Sequence, residues 1–211
     1  MSDSEHKLEN VFWLGGSPCA GKSSISEIIA SRYGLDVYHV DEAFEVHAQR
    51  FDPVRQPTLT KWLASSWDQR WMQSADKLVQ EVIACYQEHF TLILEDVFAL
   101  PKGRPLLVEG TALLPRLVAK VLASQSHGIW LIPTASFQTA HYAERAWAQS
   151  IAAQCSNPEE AFQNWMLRDC RFAEWLEAEV SALQFSFLRI DGNRTITENA
   201  EAVAAHFHKQ P

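Results

Sequence analysis

A run of small residues near the start of the chain has the spacing of a phosphate-binding loop. Residues 16–23 follow the pattern Gly16-x-x-x-x-Gly21-Lys22-Ser23, which matches that loop in full. Glycines let the backbone curl until successive N–H groups face an anion, and a following helix adds its free N–H groups and positive dipole end. Lys22 can reach the β- and γ-phosphates of a nucleotide, and Ser23 can offer its hydroxyl to Mg²⁺. The residues expected to contact the phosphates are Gly16, Ser17, Cys19, Ala20, Gly21, Lys22, Ser23 and Ser24.

Acidic residues at two other places could complete a metal site and supply a base. Glu109 follows the apolar residues 106–108, so we expect it at the carboxyl end of a buried strand, holding a Mg²⁺-bound water. The alternative is that Glu109 caps a helix or forms a salt bridge. Asp41 and Glu42 end a second predicted strand on the same rim. They suit a base for an attacking hydroxyl or a metal contact, with Asp41 favoured because Val40 is expected to be buried; the alternative is a solvated acidic turn.

Alternating strand and helix patterns indicate which elements would position these residues. Residues 23–32 place Ile25, Ile28 and Ile29 on one helical face, and Gly34 is a natural helix stop. Strands are predicted at 11–14, 36–42, 106–110, 128–134 and 185–192. Strands that alternate with helices favour a parallel sheet with helices on both faces. We therefore predict an α/β fold, a three-layer α/β/α sandwich around a mostly parallel five-stranded sheet, in one domain.

Two helix starts near the end of the chain carry strong capping signals. Asn157 followed three residues later by Glu160 predicts a helix that reaches about Val180. Thr195 with Glu198 forms a capping box before an apolar face. Both signals place a helix next to a predicted strand, as the layered fold requires.

The overall composition excludes several classes of protein. The 211 residues are 47% hydrophobic and 21% charged, which is ordinary for one soluble globular domain. A formal charge of −8 argues against a broad basic face for nucleic acid. The four cysteines form no C-x-x-C pair, so neither a zinc site nor a disulfide framework is expected. No apolar run approaches the roughly 18 residues that span a bilayer, and the first ten residues lack an apolar signal segment; we expect a cytoplasmic protein with no membrane or nucleic-acid partner.

The order of these parts resembles the small-molecule kinases of the adenylate-kinase type, a group similar to shikimate and gluconate kinases and antibiotic phosphotransferases. The resemblance spans nearly the whole chain. It is carried by the loop at 16–23, the acids at 41–42, the sequence VEGTALLP at 108–115, the helical arginine region after strand 128–134, and the segment 189–203. It implies the P-loop NTPase fold, ATP and Mg²⁺ as cofactors, and a small-molecule phosphoryl acceptor. Glu109 stands where nucleotide kinases have Asp, and no Arg closely follows Gly110, so a nucleoside monophosphate is not carried over as the acceptor.

In that group a mobile lid brings arginines onto the transferring phosphoryl, where charge stabilisation supplies most of the catalysis. The resemblance gives this role to Arg145, Arg168 and Arg171, with a lid region at about 145–171. Arg168 and Arg171 are three residues apart on a helix, so we expect them to share a face; the alternative for each arginine is a surface ion pair. Arg194, in the turn after the last strand, is expected either to stack on adenine or to stay exposed.

The tryptophan-rich middle of the chain is expected to cover the acceptor. This helical region takes in about 44–99, and it holds Trp62, Trp67 and Trp71 among scattered cations. Aromatic residues with cations suit a polar organic molecule, including one that already carries phosphate. The open alternative is that the tryptophans are core and the cations solvated. His47 is expected to be structural or exposed rather than catalytic.

The leading hypothesis is an ATP-dependent phosphotransferase acting on a small molecule. Its expected catalytic residues are Lys22, Asp41, Arg145, Arg168 and Arg171, with Ser23 and Glu109 on the metal side and Arg194 on the adenine. A nucleotide-hydrolysing switch is the first alternative, against which neither N-K-x-D nor D-x-x-G occurs in the chain. The second alternative is a binding or regulatory protein without turnover. The presence of Lys22 and Ser23 argues against it. The acceptor and the oligomeric state stay open.

Overall fold

Five parallel strands form the centre of the protein. The structure, a computed structural model, describes residues 7–101 and 103–208. The strands are β1 Val11–Gly16, β2 Asp36–His39, β3 Leu106–Glu109, β4 Gly128–Pro133 and β5 Ser186–Ile190. Their order across the sheet is β2-β3-β1-β4-β5, and every neighbouring pair is parallel. β1 lies between β3 and β4, so the strands on its two sides are reached by connections that run in opposite directions across the sheet. The carboxyl end of β1 is therefore the topological switch point, where ligands usually bind in such sheets.

Ten α-helices lie within the described residues. They are α1 Lys22–Tyr33, α2 Val40–Ala48, α3 Pro57–Ala64, α4 Trp67–Trp71, α5 Ala75–Ala99, α6 Pro115–Val118, α7 Ala135–Ala143, α8 Ala146–Ala152, α9 Pro158–Ala182 and α10 Ile196–Phe207. The predicted caps are confirmed: Asn157 Oδ1 accepts from the Glu160 backbone N–H, and Thr195 and Glu198 form a capping box. Gly34 ends α1 in the left-handed conformation.

Side chains of the sheet alternate between two helical layers. Leu14, Leu107 and Leu131 pack with α1 and α10 on one face, and Trp13 and Trp130 pack with α5 and α9 on the other. Successive strand residues face opposite sides, so each strand supplies both cores. The arrangement confirms the predicted three-layer α/β/α sandwich of the P-loop NTPase class, and its sheet is wholly parallel in the described part of the chain.

The second strand is shorter than predicted. β2 ends at His39, and Asp41 and Glu42 lie in the first turn of α2 instead of at the end of a strand. Val40 and His47 are fully buried, a seven-residue spacing that fits one helical face rather than strand alternation. The two carboxylates also lie at the positive end of the helix dipole, where negative charge is favourable. The prediction of a strand over 36–42 was therefore wrong beyond residue 39.

The last strand is also shorter than its prediction, since Asp191 and Gly192 lie in the turn after β5.

Among the described residues, none of the helices combines the length and apolar character that crossing a membrane requires.

Candidate functional site

The loop between β1 and α1 has the backbone of an anion-binding nest. Gly16 and Gly21 have φ angles of 142° and 78°, and Cys19 has a φ of 62°. A Cβ on Gly16 would lie 2.3 Å from the carbonyl oxygen of Leu131, so only glycine fits there. No side chain caps the N-terminus of α1, which leaves its first N–H groups free to bind a phosphate.

Lys22 lies across this loop with its ammonium group already oriented. Its Nζ donates to the carbonyl oxygen of Ser17 at 3.0 Å and to Thr111 Oγ1 at 3.1 Å. The loop is braced from α7, where Gln138 Nε2 donates to Ser17 Oγ at 3.0 Å and to the Pro18 carbonyl oxygen at 2.9 Å. Because Lys22 is only 6% exposed, its charge is directed into the site rather than into solvent.

Cys19 is the one titratable side chain in the loop besides Lys22. Burial raises the pKa of the Cys19 thiol, and nearby Arg145 only partly offsets this. A thiol held in its protonated form is a poor nucleophile, which favours the interpretation of Cys19 as a filler position.

Glu109 and Ser23 meet at the end of β3 and form a candidate metal site. Ser23 Oγ donates to Glu109 Oε1 at 3.0 Å, and His39 Nδ1 lies 2.7 Å from the same oxygen. The other carboxylate oxygen, Oε2, is buried without a hydrogen-bond partner among the described residues. A hydroxyl, a carboxylate with one open oxygen and adjacent phosphates are the oxygen ligands that Mg²⁺ takes in such sites, so the residues present fit that ion. Among the described residues, no group of three or more histidine, cysteine or acidic side chains is placed to hold a metal ion by itself.

A cavity of about 620 Å³ opens directly from the loop. Its lining includes the predicted loop residues Cys19, Ala20, Gly21, Lys22, Ser23 and Ser24. Asp41 also lines it, whereas Glu42 does not and acts electrostatically on His39 instead. The first turn of α2 thus separates the two acids, and Asp41, the acid favoured from the sequence, is the one that lines the cavity.

The predicted arginines lie in different places. Arg145 and Arg168 line the cavity, and Arg145 makes no ion pair with any described residue. Arg168 lies 2.6 Å from the buried carboxylate of Asp169 and is largely buried itself. Arg171 forms an exposed ion pair with Asp76, away from the cavity. The two arginines therefore have different environments, since Arg168 is paired in the interior and Arg171 is paired at the surface.

The structure does not bring Arg194 to the cavity. It is exposed in the turn between β5 and α10. That turn nevertheless borders the loop, since a Cβ on Gly21 would lie 3.0 Å from Ile196 Cδ1. The cations Arg50 and Arg55, in the middle of the chain, pair with Glu95 at the surface.

Sequence reasoning missed Thr111, His39 and Gln138. Thr111 follows Glu109 by two residues, which is a weak local signal. His39 is brought to Glu109 by strand pairing, since the two residues are partners in the β2–β3 register. Gln138 reaches the loop across 121 residues of sequence, and no local pattern indicates that contact.

Two solved structures illustrate what the chain is similar to. Shikimate kinase from Acinetobacter baumannii in complex with shikimate is 13% identical, with 96% of this chain and 95% of that chain covered and a TM-score of 0.48. Deoxyadenosine kinase from M. mycoides with bound dATP is 14% identical, with 92% and 97% covered and a TM-score of 0.46. No protein-family model matches the sequence, and no curated protein matches it. The function is therefore argued from the residues of the site.

Proposed function

We propose that the protein is an ATP-dependent phosphotransferase that moves the γ-phosphoryl group of ATP to a hydroxyl of a small molecule. The observation that carries the proposal is one cavity with two ends. One end is a phosphate-binding loop with Lys22 directed into it, and the rest is lined by Asp41 and by aromatic side chains. A nucleotide-hydrolysing switch needs no space for a second substrate, whereas this cavity of about 620 Å³ extends from the loop to the indoles of Trp62, Trp67 and Trp71.

The loop would hold the triphosphate through backbone N–H groups of residues 16–24 and the Lys22 ammonium. Ser23 and Glu109 would hold Mg²⁺, which when bound neutralises charge on the β- and γ-phosphates. Arg194 is proposed at the adenine only if the turn before α10 moves toward the loop.

Asp41 is the proposed base. Its carboxylate would accept the proton of the acceptor hydroxyl while the hydroxyl oxygen forms a bond to the γ-phosphorus. The bond from that phosphorus to the β-γ bridging oxygen breaks, and ADP leaves. Arg145 would stabilise the charge on the phosphoryl group in transfer, because it lines the cavity without an ionic partner in the described part of the chain. Arg168, held in position by its ion pair with Asp169, would add positive charge to the same site.

The proposed regional roles follow from the same cavity. Residues from 44–99 and from 145–171 line its acceptor end, which supports the hypothesis of a cover and a lid within a single domain. Arg171 would join the site only after leaving Asp76. A small molecule is the only partner proposed, with the cytoplasm as its setting.

The test is release of ADP from ATP and Mg²⁺ with and without a panel of acceptors. Wild type should release ADP only when an acceptor is present, and Lys22→Ala should abolish release while circular dichroism stays unchanged. Lys120→Ala, an exposed lysine outside the cavity, is the matched control and should keep full activity. Steady hydrolysis without acceptor would favour the switch, and tight ATP binding with no turnover would favour the regulator.

A further inference from the structure

The acceptor end of the cavity is walled by aromatic side chains. The indoles that line it belong to Trp62, Trp67, Trp71, Trp147 and Trp165. Trp71 and Trp165 stack with their ring centroids 4.3 Å apart, and both are buried. Aromatic walls favour stacking and edge contacts with another ring, and they offer little to a heavily hydrated sugar acid.

Arg70, one of the arginines that line the cavity, is used to build the wall. Arg70 Nε donates to the Trp62 carbonyl oxygen at 3.0 Å, and its Nη2 donates to the Leu63 carbonyl oxygen at 2.9 Å. Its guanidinium carbon lies 4.1 Å and 4.7 Å from the ring centroids of Trp62 and Trp67. Arg70 therefore braces two indoles.

Two of the three arginines beside the indoles are engaged by other groups of the protein. Arg168, whose guanidinium carbon lies 4.9 Å from the ring centroid of Trp71, is paired with the buried carboxylate of Asp169, and Glu81 adds a further carboxylate to the lining. Arg145, whose guanidinium carbon lies 5.9 Å from the ring centroid of Trp147, has no ionic partner among the described residues, and it is the arginine proposed for the phosphoryl group in transfer. An acceptor that already carries phosphate would need several cations at its own end. The distribution of charge thus favours an uncharged acceptor.

A chain of hydrogen bonds behind the wall ends at His89, one of the residues that line the cavity. Asp96 accepts from His47 Nε2 at 2.8 Å and from the Tyr38 hydroxyl at 2.8 Å. His47 Nδ1 lies 2.7 Å from His89 Nε2, and His89 lines the cavity. The Asp96 carboxylate has no proton to give, so His47 Nε2 carries one. When Nε2 carries the single proton of the His47 ring, Nδ1 is an acceptor and His89 Nε2 donates to it.

This arrangement leaves His89 Nδ1 with a lone pair and no hydrogen bond to any described residue. Burial lowers the pKa of His89 to about 3, which keeps the ring neutral. A neutral ring nitrogen of this kind can accept a hydrogen bond but cannot donate one. A ligand that places an N–H or O–H there gains a bond that an ether or methyl analogue cannot make.

We propose that the acceptor is an uncharged planar aromatic alcohol whose ring packs among the indoles and whose second polar group donates a hydrogen bond to His89 Nδ1. This inference rests on the proposed phosphotransferase function. In the reaction the alcohol oxygen of the side chain takes the phosphoryl group, its proton passes to Asp41, and ADP leaves. His89 is a specificity residue in this scheme, and it takes no part in proton transfer.

Calorimetric binding to the full chain tests the aromatic class directly. The probes are three phenethyl alcohols: 4-hydroxyphenethyl alcohol, 4-methoxyphenethyl alcohol and 2-phenylethanol. Gluconate and 4-hydroxyphenylacetate serve as a polar and an anionic comparison. We expect the alcohols to bind and the two acids not to bind, and Trp62→Leu to weaken alcohol binding about tenfold. Binding of the acids with none of the alcohols would overturn the inference.

The hydroxyl and methoxy probes test His89. Wild type should bind the hydroxyl compound about tenfold more tightly than the methoxy compound, because only the former can donate to Nδ1. His89→Phe should abolish that preference, and His141→Phe, an exposed histidine outside the cavity, should keep it. Should His89→Phe fail to fold, the comparison of the two probes on wild type still decides, since equal affinities would overturn the role of His89.

ADP release with the same probes separates this inference from the function beneath it. Alcohol binding with ADP release supports both. Alcohol binding without any ADP release, from these probes or from the acids, supports the aromatic pocket and contradicts the phosphotransferase. ADP release with gluconate or with the carboxylate probe and none with the alcohols leaves the phosphotransferase standing and overturns the aromatic acceptor.

Discussion

His89 should make the protein less stable in mild acid. Burial is the main reason that its pKa falls to about 3, and neighbouring His47 adds to the effect while Asp96 opposes it. An unfolded histidine has a pKa of about 6.5. Between those two values the unfolded chain binds a proton that the folded chain does not, so acidification favours unfolding. This stability is present above about pH 6.5 and is lost as the pH falls toward 3.

The size of the effect follows from the slope of stability with pH. One proton bound only by the unfolded chain costs about 1.4 kcal/mol for each pH unit. From pH 6.5 to pH 5 the loss is at most about 2 kcal/mol, a large part of the 5–15 kcal/mol typical of a domain. Asp96 contributes in a lower window, because its pKa lies below the usual 3.8 despite partial burial, owing to hydrogen bonds from His47 and Tyr38.

The assay is urea unfolding at pH 7 and pH 5 for wild type and His89→Gln. The glutamine amide can still donate to His47, but it cannot titrate. Other histidines also titrate in this range. In particular the pKa of His39 is raised, since the hydrogen bond to Glu109 and the charge of that carboxylate together outweigh burial. Protonation of His39 therefore stabilises the folded protein as the pH falls. The stability lost between pH 7 and pH 5 is therefore compared between wild type and His89→Gln, and the difference between the two losses is the contribution of His89. The control variant His141→Gln should lose as much stability as wild type. If His89→Gln loses as much stability as wild type between the two pH values, His89 is charged in the folded protein and the reasoning fails.

Three further substitutions test the site and its scaffold. Asp41→Asn should lower turnover about 100-fold with unchanged ATP affinity, whereas Glu42→Gln should have little effect; equal losses in steady-state kinetics would contradict the choice of base. Arg168→Ala should destabilise the protein by about 3–5 kcal/mol in thermal unfolding, because it leaves the Asp169 carboxylate, 2% exposed, without a cation. Arg168→Lys should fold, and a normal rate in that variant would show that the arginine is structural. Gly16→Ala should cost about 2–4 kcal/mol through its φ of 142° and the contact with Leu131; an unchanged melting temperature would show that the loop tolerates a side chain.

Features set by neighbouring residues could be predicted well. The loop needs glycines at fixed positions, and the caps at Asn157 and Thr195 bond to residues three places along the chain. The alternation of strand and helix patterns sufficed for a parallel sheet in three layers. The placement of Asp41 at the rim was also predicted, although the element that carries it was not.

The limits of the second strand show where local signals fail. A β-strand and the first turn of a helix are both compatible with the residues around Val40, and burial of Val40 and His47 on one side decides for the helix. Arg168 and Arg171 both lie on α9, three residues apart, and the sequence does not indicate which of them is buried. The packing of α9 against the other helices decides this, since Arg168 is paired in the interior and Arg171 at the surface.

The sequence by itself determined the glycine-rich loop, the helix caps and the layered fold, because each depends on residues that lie a few positions apart or on patterns within one element. The tertiary structure alone decided the contact of His39 with Glu109, the brace from Gln138 and the histidine chain that ends at the cavity. Those contacts join residues from 42 to 121 positions apart, and their partners are selected by strand register and helix packing, which no short stretch of sequence encodes.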